Sequence, residues 1–249
     1  MKCRLLSVLI MAVIAAAPVS WMRAESPAPK GKIRVLLTSG GHPFDAQSFY
    51  GMFDAMPDVQ YTKASMPKDG ALLKPALRKD YDVLVMYDLV VEITPQQQQD
   101  FVALLKQGIG VVSLHHNLGA HRNWDEFTQI IGGKYLFAKA QYGEKSYGPS
   151  TAKEGVDINV FVADKGHPIT RGITDFKVHD EVYGNYYVTP EAHVLLKTDH
   201  PMNNPELAWT TKYAASPVVY IQLGHGPGAH NDANYRKLVN QAIQWVAGR

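Results

Sequence analysis

Two kinds of apolar pattern alternate along the first half of this chain. Unbroken runs at residues 33–39 (IRVLLTS), 81–87 (YDVLVMY) and 110–114 (GVVSL) read as strands buried on both faces, and residues 59–63 supply a further strand. Between them the spacing becomes helical. Residues 47–56 carry Phe49, Met52 and Phe53 on one face. Residues 96–107 are bracketed by a capping hydroxyl and first-turn proline, Thr94-Pro95, and by Gly108 beyond the far end. Through residue 87 the predicted order is strand, helix, strand, helix, strand, with the second of those helices between residues 63 and 81. Strands alternating with helices through short loops imply an α/β protein with a doubly wound, mostly parallel sheet and helices on both faces. In such a sheet a ligand sits outside the carboxyl ends of the strands.

The second half is less regular. Residues 158–162, 193–198 and 218–223 read as strands, and residues 234–247 as a closing amphipathic helix. The chain has no internal repeat and no low-complexity tract.

The N-terminus has a pattern of its own. Lys2 and Arg4 precede an apolar run from Leu5 to Ala17, and a more polar segment leads to Ala24. That run is shorter than the roughly 20 apolar residues a membrane-spanning helix requires. It reads as a signal peptide over residues 1–24, a linker over 25–31, and one domain over 32–249, with export to the periplasm or the exterior as the expected destination. Stable membrane insertion is not expected. Cleavage would remove three of the 25 basic residues and leave 22 against 23 acidic ones, a near-neutral chain without the electrostatic footprint of a nucleic-acid binder. It would also remove Cys3, the single cysteine, so neither disulfide nor thiol chemistry is expected of the mature protein.

Four polar segments fall just after predicted strands: Gly41-His42-Pro43-Phe44, Asp88, His115-His116-Asn117 and Gly224-His225-Gly226. A fifth, His179-Asp180-Glu181-Val182-Tyr183, adds two carboxylates whose location the pattern does not fix. If the strand over residues 110–114 continued through His115 and His116, one ring would face the site and the other would pack. Trp209 is open to two readings, a platform for a sugar face or a core residue. No H-x-x-x-H or H-E-x-x-H helix is present, so a divalent metal such as zinc would have to be assembled from separate loops, for instance by His42, His116, His225 and a carboxylate.

The segments SGGHPFD, SLHHNLGA with WDEFTQIIGGKY, GHPITRGITDFKVHDEVY, ELAWT and VVYIQLGHG, in that order, resemble the ThuA-like (trehalose utilisation) family across nearly all of the chain after the leader. The resemblance implies a flavodoxin-like fold of the class I glutamine amidotransferase type. In that fold the nucleophile occupies a sharp strand-to-helix turn, which corresponds here to residues 114–117, and its partner histidine corresponds to His225. Histidine stands at the thiol position, so Cys-His amide hydrolysis is excluded. Ala215-Ser216-Pro217 departs from a Gly-Arg pair common in the family, and no arginine role carries over.

Two functions follow from this reading. The first is an enzyme, a hydrolase, lyase or isomerase acting on a disaccharide or 3-keto-sugar. His225 or Glu181 would be its general acid or base, and His116 with Asn117 would orient a carbonyl or hydroxyl. His42, Asp88, His115, Asn117, Asp180, Tyr183 and Trp209 would contact the small-molecule carbohydrate. The second is a non-catalytic sugar-binding or interaction module, with a homo-oligomer left open in either case. Convergence of the histidines with a carboxylate within hydrogen-bond reach would favour the enzyme.

Overall fold

In the computed structural model, which describes residues 31–249, the first apolar run forms strand β1 (Ile33–Gly40). The expected leader and residues 25–30 lie outside the described residues. Helix α1 (Ala46–Asp54), β2 (Val59–Ser65), β3 (Val83–Asp88), α2 (Pro95–Lys106), β4 (Gly110–Leu114) and α3 (Asp125–Ile131) follow. Three short strands come next: β5 (Gly133–Lys134), β6 (Ala140–Tyr142) and β7 (Lys145–Tyr147). The chain then forms β8 (Thr151–Val162), β9 (Phe176–Gly184), β10 (Tyr187–Val188), β11 (His193–Lys197), β12 (Glu206–Tyr213) and β13 (Ser216–Ile221). It closes with α4 (Pro227–His230) and α5 (Ala233–Val246).

Nine strands share one sheet in the order β2-β1-β3-β4-β13-β12-β11-β8-β9. The five from β2 to β13 run parallel, which is the strand order of a flavodoxin-like doubly wound sheet with β13 as its fifth member. From β13 outward the strands are antiparallel, so β8 and β9 extend the sheet beyond the parallel block. Phe49, Met52 and Phe53 of α1 pack with Leu238, Val239 and Ile243 of α5 in one core. Phe101, Leu104 and Leu105 of α2 pack with Phe127, Ile130 and Ile131 of α3 in a second. Helices thus cover both faces of the sheet, each through one apolar stripe.

Local chemistry explains the elements that matter most. At the start of α2 the Thr94 hydroxyl accepts from Gln97 N at 3.2 Å, and the Gln97 side chain accepts from Thr94 N at 2.9 Å. This reciprocal box satisfies two amides that have no partner within the helix. Gly110 opens β4 because α5 lies against it: a Cβ there would meet the Val246 carbonyl oxygen at 2.5 Å.

Several segments differ from the sequence expectation. A helix was expected between β2 and β3, but Pro67, Gly70 and Pro75 break that stretch into 3-10 turns at Gly70–Leu72 and Pro75–Lys79. Helix α3 and strand β12 lie in segments where no element was predicted. Strand β9 was hidden because Asp180 and Glu181, in its middle, are both buried, and a buried carboxylate pair imitates the polar signature of a loop.

Candidate functional site

Strand β4 stops at Leu114, and His115 turns the chain in the left-handed region with φ +48 before a 3-10 turn over His115–Gly119. A non-glycine residue held there carries local strain. The turn delivers the His115 side chain above the carboxyl end of the parallel block. Because the strand has already ended, alternation does not govern the pair. The rings of His115 and His116 stand 5.5 Å apart, edge to face, with His115 fully buried and His116 in the wall of the adjoining cavity.

The His115 ring is oriented from behind. Its Nδ1–H donates to the Gln222 carbonyl at 2.6 Å, which leaves Nε2 with a lone pair in the neutral ring. That Nε2 lies 2.9 Å from Glu181 Oε2, 3.2 Å from His225 Nδ1 and 2.9 Å from the Tyr183 hydroxyl. The triangle closes with His225 Nδ1 to Glu181 Oε2 at 3.0 Å. Gln222 ties the two sides together, since its side-chain amide also donates to the Glu181 backbone carbonyl at 2.8 Å. His225 is seated by Asp180, whose carboxylate accepts from Gly224 N at 2.6 Å and His225 N at 2.9 Å. Gly224 is required by the fold, because its φ is +121 and a Cβ would meet the Tyr235 hydroxyl at 2.2 Å.

The electrostatics follow from these contacts. Burial opposes ionisation of Glu181, but hydrogen bonds and charge from His115 and His225 outweigh it and hold the carboxyl well below the usual range. The same bond to Glu181 raises His225 above an ordinary histidine. Burial, with His115 beside it, pushes His116 down to about 2, so that ring is neutral. Burial raises Asp180 despite its two backbone donors, and raises the Tyr183 phenol well beyond reach of neutral pH.

A half-open cavity of about 150 Å³ lies against this cluster, with His42, His116, Glu181 and Tyr183 among its walls. Leu89, Tyr135 and Phe137 supply much of its apolar lining. Phe137 is 48% exposed, and the Arg122 guanidinium lies 3.5 Å from its ring centroid. Neither Tyr135 nor Phe137 was anticipated. The stretch after GGKY in the sequence is an irregular segment in which aromatics have no periodicity to mark them.

Of the anticipated residues, the structure brings together His115, Glu181, Tyr183 and His225, with His42 and His116 beside them: the His42 ring lies 4.9 Å from that of His116 and 6.2 Å from that of His225. Three others are placed elsewhere. Asn117 is fully buried, accepting from Ser113 Oγ at 2.7 Å and donating to the Asp88 carbonyl at 2.8 Å, so its amide is spent on the turn. Asp88 is fully buried behind Thr38, which donates to it, and burial pushes it up to about 6. Trp209 is a core residue: it is fully buried and donates to the Ile131 carbonyl at 2.9 Å, with no ring face left for a sugar. Asp180 acts on the site through backbone amides and is not among the residues that line the cavity.

The family model for ThuA, described as trehalose utilisation, matches residues 50–246. No curated protein sequence matches the chain. Among solved structures, a ThuA-like protein of Parabacteroides merdae aligns over 87% of this chain and 90% of its own with a TM-score of 0.71 and 17% identity. A second, from Bacteroides uniformis, covers 90% of this chain and 95% of its own at a TM-score of 0.67 and 17% identity. A Thermoplasma acidophilum protein described as part of a GMP synthase covers 88% and 96% at a TM-score of 0.52 and 11% identity, which places the fold in the class I glutamine amidotransferase group.

Proposed function

Since the chain belongs to the ThuA family, whose described role is trehalose utilisation, we propose that it is an enzyme acting on a carbohydrate derivative at the cavity beside His115, Glu181 and His225. The observation that carries this reading is the convergence of two histidines and a carboxylate within 3.2 Å of one another, next to a wall of aromatic rings. A site built only to hold a sugar needs the aromatics and a few amides. It does not need a buried carboxylate kept ionised by two imidazoles.

The substrate we propose is a disaccharide or its 3-keto form, with one sugar ring lying on Phe137 and Tyr135 and its reacting carbon toward Glu181. A keto group acidifies the neighbouring C–H, so a carboxylate or imidazole suffices to remove that proton. Glu181, ionised at neutral pH, and His225, which keeps its proton to higher pH than a free histidine, divide the base and acid roles. The Tyr183 phenol stays protonated and donates to a developing oxyanion. Hydrolysis, elimination and isomerisation all pass through such proton exchange.

The test is incubation of the purified protein with a panel of disaccharides and their 3-keto forms, with products read by mass. We expect a mass or retention change that depends on His225. Saturable sugar binding without turnover would instead establish the binding module. We propose in addition that the protein is exported through the leader over residues 1–24; fractionation that finds only uncleaved protein in the cytoplasm or the membrane would overturn that.

A further inference from the structure

We propose that His115, Glu181 and His225 bind a divalent transition ion of the zinc class, one per chain, through His115 Nε2, Glu181 Oε2 and His225 Nδ1. The proposal assigns a metal to the site described above, but it stands on ligand geometry and would survive the loss of the carbohydrate reading.

The ring hydrogens available to this cluster do not match its contacts. His115 Nδ1 must hold its hydrogen, because it faces the Gln222 carbonyl, which only accepts. In the neutral ring Nε2 then presents a lone pair to a carboxylate oxygen at 2.9 Å, and Tyr183 already supplies the one hydroxyl donor within reach of it. A lone pair facing an anion at that distance is repulsive, and a second ring hydrogen on Nε2 would relieve that edge alone. His225 can offer at most one hydrogen on Nδ1, and it lies 3.0 Å from the same Glu181 oxygen. With hydrogens on both His115 Nε2 and His225 Nδ1 the two edges to Glu181 are served but two donors face each other at 3.2 Å. With a hydrogen on either one alone the other lone pair faces the carboxylate. A metal ion serves all three edges together.

The spacing of the three ligand atoms also suits an ion. The edges measure 2.9, 3.2 and 3.0 Å. A tetrahedral ion with bonds of about 2.0–2.1 Å separates its ligands by roughly 3.3 Å, so each edge needs to open by only a few tenths of an ångström. Two imidazoles and one carboxylate suit a borderline ion rather than calcium or magnesium, which take oxygen ligands in larger number. Three protein ligands leave a fourth position, and Glu181 belongs to the cavity wall, which is where a substrate oxygen would arrive.

The groups behind the two histidines match those that hold ligating imidazoles. Ligating histidines characteristically donate the remote ring N–H to a carbonyl or carboxylate, which fixes tautomer and orientation. His115 does so to Gln222. His225 has its remote Nε2 3.6 Å from Glu154 Oε2 and its backbone held by Asp180. Gln222 then fixes Glu181 from the opposite side. His116 stands beside the cluster without being a ligand, its Nε2–H held by the Tyr87 carbonyl at 3.0 Å and its Nδ1 without a partner among the described residues.

The experiment uses the full purified chain, stripped with a chelator and titrated with zinc chloride in competition with a chromophoric indicator, with metal content after dialysis read by mass spectrometry. We expect one zinc per chain and a metal-dependent rise in melting temperature. His115→Ala and His225→Ala should each weaken binding by at least 100-fold and abolish that rise. Should either variant fail to fold, Glu181→Gln retains size and shape while replacing the anionic ligand, and should weaken binding at least tenfold. Substoichiometric zinc, or affinity equal in wild type and Glu181→Gln, would overturn the proposal. Stoichiometric zinc without turnover of any sugar would overturn the enzyme reading alone, and full turnover by chelator-treated, zinc-free protein would overturn the metal site alone.

Discussion

The carboxylate of Asp180 seats the ring of His225 without touching it: its two oxygens take the consecutive amides of Gly224 and His225 and so set the direction in which that loop leaves β13. Asp180→Asn would offer an NH2 group to one of those amides. We expect a loss of about 2–3 kcal/mol, the scale of hydrogen bonds to a buried charged group, read by urea denaturation. Asp180 also contributes charge that raises His225, so the His225 ring should titrate at lower pH in the variant, as followed by NMR. An unchanged His225 titration would show that the two residues are not coupled.

His225→Ala should lower kcat/KM by at least 100-fold, within the range for loss of a positioned acid or base, while the chelator-treated protein melts within a few degrees of wild type. A lowered melting temperature with normal turnover per folded molecule would move the proton-transfer role to Glu181.

Phe137 and Trp209 should separate cleanly. Phe137→Ala removes a half-exposed ring from the cavity wall, so KM should rise about five- to tenfold, corresponding to roughly 1–1.5 kcal/mol of stacking, with no change in stability. Trp209→Ala empties a fully buried site and should cost about 3–5 kcal/mol while leaving turnover per folded molecule unaltered. If the Trp209 variant instead changed KM selectively, the ring would have to reach the ligand.

Asp88 predicts a pH dependence of stability. Its folded-state pKa is raised to about 6 by burial, above the ordinary carboxylate value, so the folded chain holds a proton that the unfolded chain has lost between about pH 4 and 6. The stability contribution is fully present below pH 4 and disappears as pH rises through 6, with an upper bound of about 3 kcal/mol. Asp88→Asn keeps an acceptor for Thr38 without the charge. It should flatten that slope and be at least as stable as wild type at pH 7.5, measured by denaturant titration at several pH values. A variant less stable than wild type at pH 7.5 would mean that the ionised carboxylate is favourable where it lies.

The parallel block was legible because β1, β3 and β4 are buried on both faces and so read as apolar runs, and because Thr94, Pro95 and Gly108 mark α2 at its two ends. The chemical residues were legible wherever a strand ends in a short loop, which is how His42, His115, His116 and His225 came to attention. Their grouping was not. His116 was expected where the structure places His115, beside Glu181 and His225, because no local rule announces that residue 115 would leave the strand with positive φ. Glu181 could be recognised but not placed, since its strand is recruited by pairing with β8, a contact between segments about 25 residues apart that no local periodicity encodes. Asp88, Asn117 and Trp209 have the composition of ligand contacts and serve the scaffold. Polar groups that hold a turn and polar groups that hold a substrate are the same chemical types.

The left-handed turn at His115 makes position 115 a socket. Its backbone course is set by β4 on one side and the 3-10 turn on the other, so whatever side chain stands there is delivered to the same point opposite residue 225. Reactivity at that point is then a matter of one codon. A thiol in the socket would face an imidazole as a nucleophile faces its base, whereas the imidazole actually present turns the same pairing into a pair of donors around a shared centre.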